Sequence, residues 1–250
     1  MRHARVIFTG LLLVTLAACS VPGPGGAPDG INDPHEATNR KIHAFNRKTD
    51  KRSINGAGAI YANGVPKGIQ RNISNFADTY ATPGYVVNQV LQGRPGRATT
   101  NTVRFLINAT LGFGGLADVA ADLGIEEDDT DFGETLHVWG VPEGAYQELP
   151  ILGPSTERDT AGRVVDLFTN PLGYVIPSPE KYAGTIATYL DKLGKRANYS
   201  DTYDSIVHES ADSYAQLRLI YLQNRRYELG GTEGADSSFV DPESIDTEGF

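Results

Sequence analysis

The sequence predicts an all-α chain with Gly/Pro-rich connections. Apolar residues recur at helical steps along several stretches, and period-2 alternation over four or more residues is nearly absent. The 28 glycines and 14 prolines among 250 residues add punctuation between helices without reaching the low-complexity range.

Each expected helix has its own signal. Asp33-Pro34-His35-Glu36 reads as an N-cap, a proline at the first helical position and an acid in the first turn, opening a helix over about 34–52. Val65, Ile69, Ile73, Phe76, Ala77 and Tyr80 follow steps of 4, 4, 3, 1 and 3, an amphipathic helix of about four turns. Ser155 or Thr156 suits the N-cap of a helix entering at Glu157. Ser178-Pro179-Glu180 starts another, running to about 196. Tyr203, Val207, Ser210, Tyr214, Leu217 and Tyr221 keep a 4-3-4-3-4 spacing that reads as a core-packing stripe on a last helix. No run reads as a β-hairpin.

The N-terminus is organised differently. Arg2 and Arg5 precede an apolar stretch of 13 residues, 6–18. At about 1.5 Å per residue this is too short to cross a bilayer core of roughly 30 Å, so it reads as a signal-peptide core. It ends in Leu16-Ala17-Ala18-Cys19, which resembles the lipobox of bacterial lipoproteins. That resemblance implies cleavage before Cys19, a diacylglycerol on its sulfur and an acylated amino group. Three acyl chains make a lasting anchor where one gives only reversible binding. Ser20 follows Cys19 rather than the Asp that marks inner-membrane retention, which favours the outer membrane. The division is then a signal peptide at 1–18, a lipidated tether at 19–31 rich in Gly and Pro, a helical unit at 32–229, and a tail at 230–250. The tail holds six acids and no base and reads as disordered.

Composition narrows the function. With 22 basic against 31 acidic residues, a formal charge of −9 argues against a nucleic-acid binder. Cys19 is the only cysteine, which excludes an intramolecular disulfide and a Cys-rich metal site. Gly112-Phe-Gly-Gly-Leu-Ala117 fits a dinucleotide-binding spacing but follows no strand, so glycines that kink a helix or let two backbones approach are the better reading. His208-Glu209-Ser-Ala-Asp212 has Asp where a zinc helix needs its second His, and reads as an ordinary helix-surface pair. The acid run 126–129 with Asp131 lacks a calcium loop's central Gly and reads as solvated loop. No enzyme signature, metal site or cofactor site survives. Two uncharged runs, 79–93 and 105–117, are too short and too polar to span a bilayer. Each alone reads as a buried core helix; both together, beside a lipid anchor, suit a protein sunk part-way into one leaflet.

The middle of the chain resembles the MlaA (VacJ) family of outer-membrane lipoproteins. The matching runs, in the family's order, are Asn32-Asp-Pro-His-Glu-Ala-Thr-Asn-Arg40, Ile73-Ser-Asn-Phe76 and Val87-Asn-Gln-Val-Leu-Gln-Gly93. They continue with Arg104-Phe-Leu-Ile-Asn-Ala-Thr-Leu-Gly-Phe-Gly-Gly-Leu-Ala-Asp118, Asp131-Phe-Gly-Glu-Thr-Leu136, Trp139-Gly-Val141 and Leu149-Pro-Ile-Leu-Gly-Pro-Ser155, with Arg158-Asp159 after them. The resemblance implies a single ring-like helical domain lying in one membrane leaflet around an amphipathic pore. It implies a trimeric porin of the OmpC/OmpF type as partner. Outer-leaflet phospholipids would be removed and handed to the periplasmic carrier MlaC, with no bond broken. By position against the family pattern, 139–155 overlaps the loop closing over the pore, with Gly140 and Gly144 as its flexible points. Lys181 falls near a pore-facing position where an ammonium would meet lipid phosphate, or else is a first-turn surface lysine. Phe45 and Asn46 match the first-helix pattern, where Asn would brace the ring. The alternative is a structural envelope lipoprotein that transports nothing; a phospholipase would need a Ser or His site that the sequence lacks.

Overall fold

The computed structural model describes residues 30–230. The expectations for the signal peptide, Cys19, most of the tether and the acidic tail lie outside the described residues.

Helix α1, Glu36–Thr49, runs through a wide turn at Asp50–Ile54 directly into α2, Asn55–Gly64. Then come α3, Lys67–Leu91, and α4, Pro95–Thr110, which starts on a proline whose missing N–H costs nothing there. Short helices α5 (Val119–Asp122) and α6 (Phe132–Val138) follow, capped by the side chains of Asp118 and Asp131. After a two-stranded antiparallel hairpin, β1 Tyr146–Leu149 and β2 Gly153–Thr156, come α7 (Glu157–Thr169) and α8 (Leu172–Val175). A 3₁₀ turn leads into α9 (Ala183–Asn198), then α10 (Ser200–Asp204), a wide turn at Ser205–Glu209, and α11 (Ser213–Glu228). Among the described residues no helix is long and apolar enough to cross a membrane.

The all-α reading holds, with informative departures. The hairpin was not expected: its strands are four residues each, too short for alternation to register, and Gly153 at φ +76 closes the turn between them. The 65–80 helix runs on to Leu91 through Pro83. Asp33 does not cap α1; its carboxylate accepts from Tyr214 Oη and from Arg218, both at 2.5 Å, and from Asn39. The 203–221 stripe is broken, because Ser210 is extended and the Asp212 carboxylate caps Ala215 N–H to restart the helix. The stripe's Val207 and Tyr214 are nevertheless buried. As expected, Thr156 caps α7 by accepting from Asp159 N–H; a Cβ at Gly115 would meet the Thr79 side chain rather than a second backbone.

The buried core is rich in polar groups, and many large apolar side chains are exposed. Among the described residues, 22 polar or charged residues are buried against 11 apolar ones, and Leu136, Val207 and Leu222 are the only large aliphatics among the latter. Phe113 (81% exposed), Ile60 (78%) and Leu167 (77%) point outward. Packing therefore leans on buried polar clusters. Arg196 grips Asp50 with two bonds of 2.9 and 2.8 Å and reaches Asp204 at 2.6 Å, and His208 Nε2 lies 2.9 Å from Asp50. That cluster overturns the surface-pair reading of His208, because the wide turn at 205–209 aims the imidazole inward at α1. Arg225 bonds Asp131 and Asp159, and Tyr221 donates to Asp159. Arg104 bonds Asp118 and the Ile125 carbonyl.

Glycines set the closest crossings. A Cβ at Gly162 on α7 would lie 2.7 Å from Gly133 Cα on α6, so the two backbones touch. We expect Gly162→Ala to lower the unfolding free energy in detergent by about 1–3 kcal/mol, the usual cost of overpacking. Gly68→Ala, which faces open space, should leave the urea midpoint unchanged or raise it.

Candidate functional site

The long helix α3 carries a polar stripe opposite its apolar one: Lys67, Arg71, Ser74, Asp78, Ala81 and Tyr85, at steps of 4, 3, 4, 3 and 4. Three cavities open along this stripe. The first, about 350 Å³, lies between the start of α3 and the end of α9 and includes Lys67, Arg71, Ser74 and Lys195. The second, about 500 Å³, is bounded by Tyr80 and Ala81 on α3, Asp166 and Phe168 on α7, and Lys181 and Lys192 about α9. The third, about 580 Å³ and largely polar, includes Tyr85, Arg97, Asp129, Glu134, Arg163 and Arg225.

The second cavity is amphipathic. Tyr174, Tyr182 and Tyr189 add aromatic wall, and its charged groups are two lysines and one carboxylate. Its position depends on one joint: the Tyr80 ring lies against Gly184, where a Cβ would come within 2.5 Å of Tyr80 Cε1, and Tyr80 Oη donates to the Lys181 carbonyl at 2.7 Å. Lys181 is half-buried at the cavity wall, its Nζ 5.2 Å from the centre of the Tyr182 ring. Such a chamber suits a ligand with an anionic and an apolar part, because the lysines meet charge while the rings accept hydrocarbon.

The interior is electrostatically loaded. Burial pushes the Glu127 carboxyl up to about 7, helped by the neighbouring charge of Asp78. Burial likewise holds Asp78 and Asp166 above the usual carboxylate range. Burial also opposes ionisation of Asp118, but bonds from Asn108, Ala121 N–H and Arg104 win and keep it low. Most acids of the run 126–131 are exposed, as a solvated loop implies, but Asp128 is tied down. Asp128 pairs with Arg97 at 2.9 Å, and its carbonyl accepts from Gln89 and Asn101. Asp50, Asp204 and His208 also place ligand atoms within 4.8 Å of one another. The Arg196 guanidinium already occupies the place a cation would take, bonded to both carboxylates.

The residues singled out from the sequence fall in three places. Asn46 ties α1 to the hairpin, donating to Glu148 (3.1 Å) and the Leu149 carbonyl (2.9 Å) and accepting from Ile151 N–H (2.7 Å). Phe45 beside it is half-exposed and points away from that joint. Gly140 and Gly144 both adopt positive φ, +83 and +75, in the segment between α6 and β1, far along the chain from Lys181. Gly140 lines a separate cavity of about 390 Å³ with His137, Val141 and Arg158. The α3 polar stripe escaped the sequence reading, which followed the apolar residues of the same helix. Its own 4-3-4-3-4 spacing was the available signal.

Glu127 makes a test of the loaded interior. Its folded pKa lies above the unfolded value, so the folded chain holds the extra proton and stability falls as pH rises from about 4.5 towards 7. We expect Glu127→Gln to flatten the decline in urea midpoint between pH 5 and pH 8. An unchanged slope would place Glu127 in ordinary solvent.

Comparison with known proteins follows the same lines. The family model for MlaA lipoproteins matches residues 31–228. The "Intermembrane phospholipid transport system lipoprotein MlaA" of Escherichia coli K12 is 30% identical over 234 residues, covering 92% of this chain and 91% of that one. Its Haemophilus influenzae counterpart is 28% identical over 247 residues, 96% and 97% of the two chains. An uncharacterised Rickettsia typhi protein is 34% identical over 189 residues, 75% and 74% of the two. A chain solved in work on the structural basis for maintenance of bacterial outer membrane lipid asymmetry superposes with a TM-score of 0.68 at 29% identity, covering 79% of this chain and 98% of that one. With the match spanning the whole described helical unit, this chain belongs to the MlaA lipoprotein family.

Proposed function

We propose that this protein is a lipoprotein of the outer membrane that removes mislocalised phospholipids from the outer leaflet and so maintains lipid asymmetry. The observation that carries this reading is a core built largely from amide, hydroxyl and paired charged side chains, with Ile60, Phe113, Leu167 and Phe168 exposed. A phospholipid headgroup loses its hydration in hydrocarbon, at a cost of several kcal/mol or more. Cavities lined by lysines and hydroxyls replace those lost hydrogen bonds, and the exposed apolar side chains keep the protein in the leaflet.

In this reading the helical unit rings a pore along the α3 stripe, held on the periplasmic side by acyl chains on Cys19. Lys181 and Lys192 meet the headgroup phosphate, and the segment bearing Gly140 and Gly144 closes over the pore. A trimeric OmpC/OmpF-type porin seats the ring, and the lipid passes to the periplasmic carrier MlaC. Lipid out of place runs downhill, so no bond is broken and no nucleotide or cofactor is used at this end. The names of the Escherichia coli and Haemophilus influenzae relatives support the transport assignment.

The test is made in cells whose own copy is deleted, reading the outer-leaflet phospholipid that added phospholipase reaches on intact cells. Lys181→Glu with Lys192→Glu should raise that pool several-fold at unchanged protein level, since reversed charges repel the phosphate. Wild-type lipid distribution in this variant would instead favour a bracing lipoprotein that transports nothing. Gly140→Ala should raise the pool too: a Cβ there meets no atom within 4 Å, so only the strained φ is disturbed. Gly144→Val is a harsher probe, because a Cβ would lie 2.6 Å from Glu157 Oε2, which accepts from Ala145 N–H.

A further inference from the structure

The cavity between the start of α3 and the end of α9 is cationic in a chain that is acidic as a whole. Lys67, Arg71 and Lys195 face it against one carboxylate, Asp191. Lys195 is bonded to that carboxylate at 2.7 Å, and Lys67 is held by the neutral Asn198 side chain at 2.8 Å. Arg71 makes no hydrogen bond or ion pair among the described residues. A second, independent feature points the same way. Tyr61, one of the residues lining the cavity, is nine-tenths buried, and its hydroxyl has no hydrogen-bond partner. A buried hydroxyl without a partner costs about 1–3 kcal/mol, so its retention calls for an acceptor that arrives from outside. Burial pushes the Tyr61 phenol up, so it stays a donor. The ring is set by Gly194, where a Cβ would come within 3.1 Å of Tyr61 Cε1. The helices that bear these groups also expose Ile60 and Ile69, and Tyr199 at the cavity is 68% exposed.

We propose that this cavity is a subsite for the phosphate of a phospholipid: Lys67 and Arg71 attract it, the Tyr61 hydroxyl donates to it, and the acyl chains lie over Ile60, Ile69 and Tyr199. It is distinct from the Lys181–Lys192 chamber and gives the headgroup a second station on the α3 stripe. The apolar surround selects a lipid over free phosphate. The proposal rests on the transport reading, and the test below separates the two.

Full-length lipidated protein in detergent is titrated calorimetrically with dihexanoyl phosphatidylglycerol below its micellar concentration, with dihexanoylglycerol and with inorganic phosphate. The phosphatidylglycerol should bind the wild type, the neutral diacylglycerol should not, and inorganic phosphate should bind more weakly while competing. Lys67→Gln with Arg71→Gln, both exposed positions, should weaken lipid binding at least about tenfold, or 1.4 kcal/mol. Tyr61→Phe, which keeps the ring on Gly194, should weaken it about fivefold. Equal lipid affinity in wild type and double variant would overturn the subsite and leave the transport reading standing. Inorganic phosphate binding as tightly as the lipid would overturn the lipid as its occupant. No lipid binding by the wild type would sink both readings.

Discussion

Burying charge without a partner is among the most expensive things a fold can do, and this domain buries charge at most of its helix junctions. Arg196 joins α9 to the end of α1 through Asp50, Arg225 joins α11 to α6 and α7 through Asp131 and Asp159, and Arg218 joins α11 to the start of the chain through Asp33. Each guanidinium reaches more than one acceptor, a geometry that offsets its desolvation. Helices that turn apolar faces outward have little hydrophobic burial to hold them to one another, and in a membrane such burial supplies little drive. Pairing of polar groups takes over that role, and it also fixes register, because a misplaced ion pair costs more than a misplaced leucine.

The same pairing leaves the α3 stripe open. Gln70, Ala77, Thr79 and Asn88 of the same helix are buried, while Lys67 and Ser74 reach Asn198 and Asp191 on α9 and Arg71 and Tyr85 line cavities. Tyr80 against Gly184 and Tyr61 against Gly194 hold α3 and α2 close to α9 beside the cavities. An interior of this kind carries a fixed pattern of charge, with raised carboxyls at Asp78, Glu127 and Asp166 and lysines around α9. It is suited to receiving a charged group from an apolar surrounding without rearrangement.

Much of the site was legible in part. Lys181 was reached through family resemblance, and it lies at a chamber whose other members come from α3, α7 and α9, far apart along the chain. Asn46 was reached the same way, and its three bonds to the hairpin could not have been listed from a sequence that gave the hairpin no signal. Nothing local marks His208 as facing inward, because a linear pattern of charge does not say which groups a tertiary fold will surround. The fold's larger features were plainer: the helix starts near Glu36 and Glu180 and the Thr156 cap follow local rules.

By itself the sequence determined the helical class, several of the helix starts, the mixture of tight turns and the lack of catalytic motifs, since each depends on a few neighbouring residues. Only the tertiary structure decided which face of each helix points inward. Amphipathic periodicity marks two faces and says nothing about their direction, and in α3 the polar stripe lines cavities while Ile69 and Leu91 stand exposed. Direction depends on what surrounds the helix, and that is set by ion pairs between residues more than a hundred positions apart, such as Asp50 and Arg196.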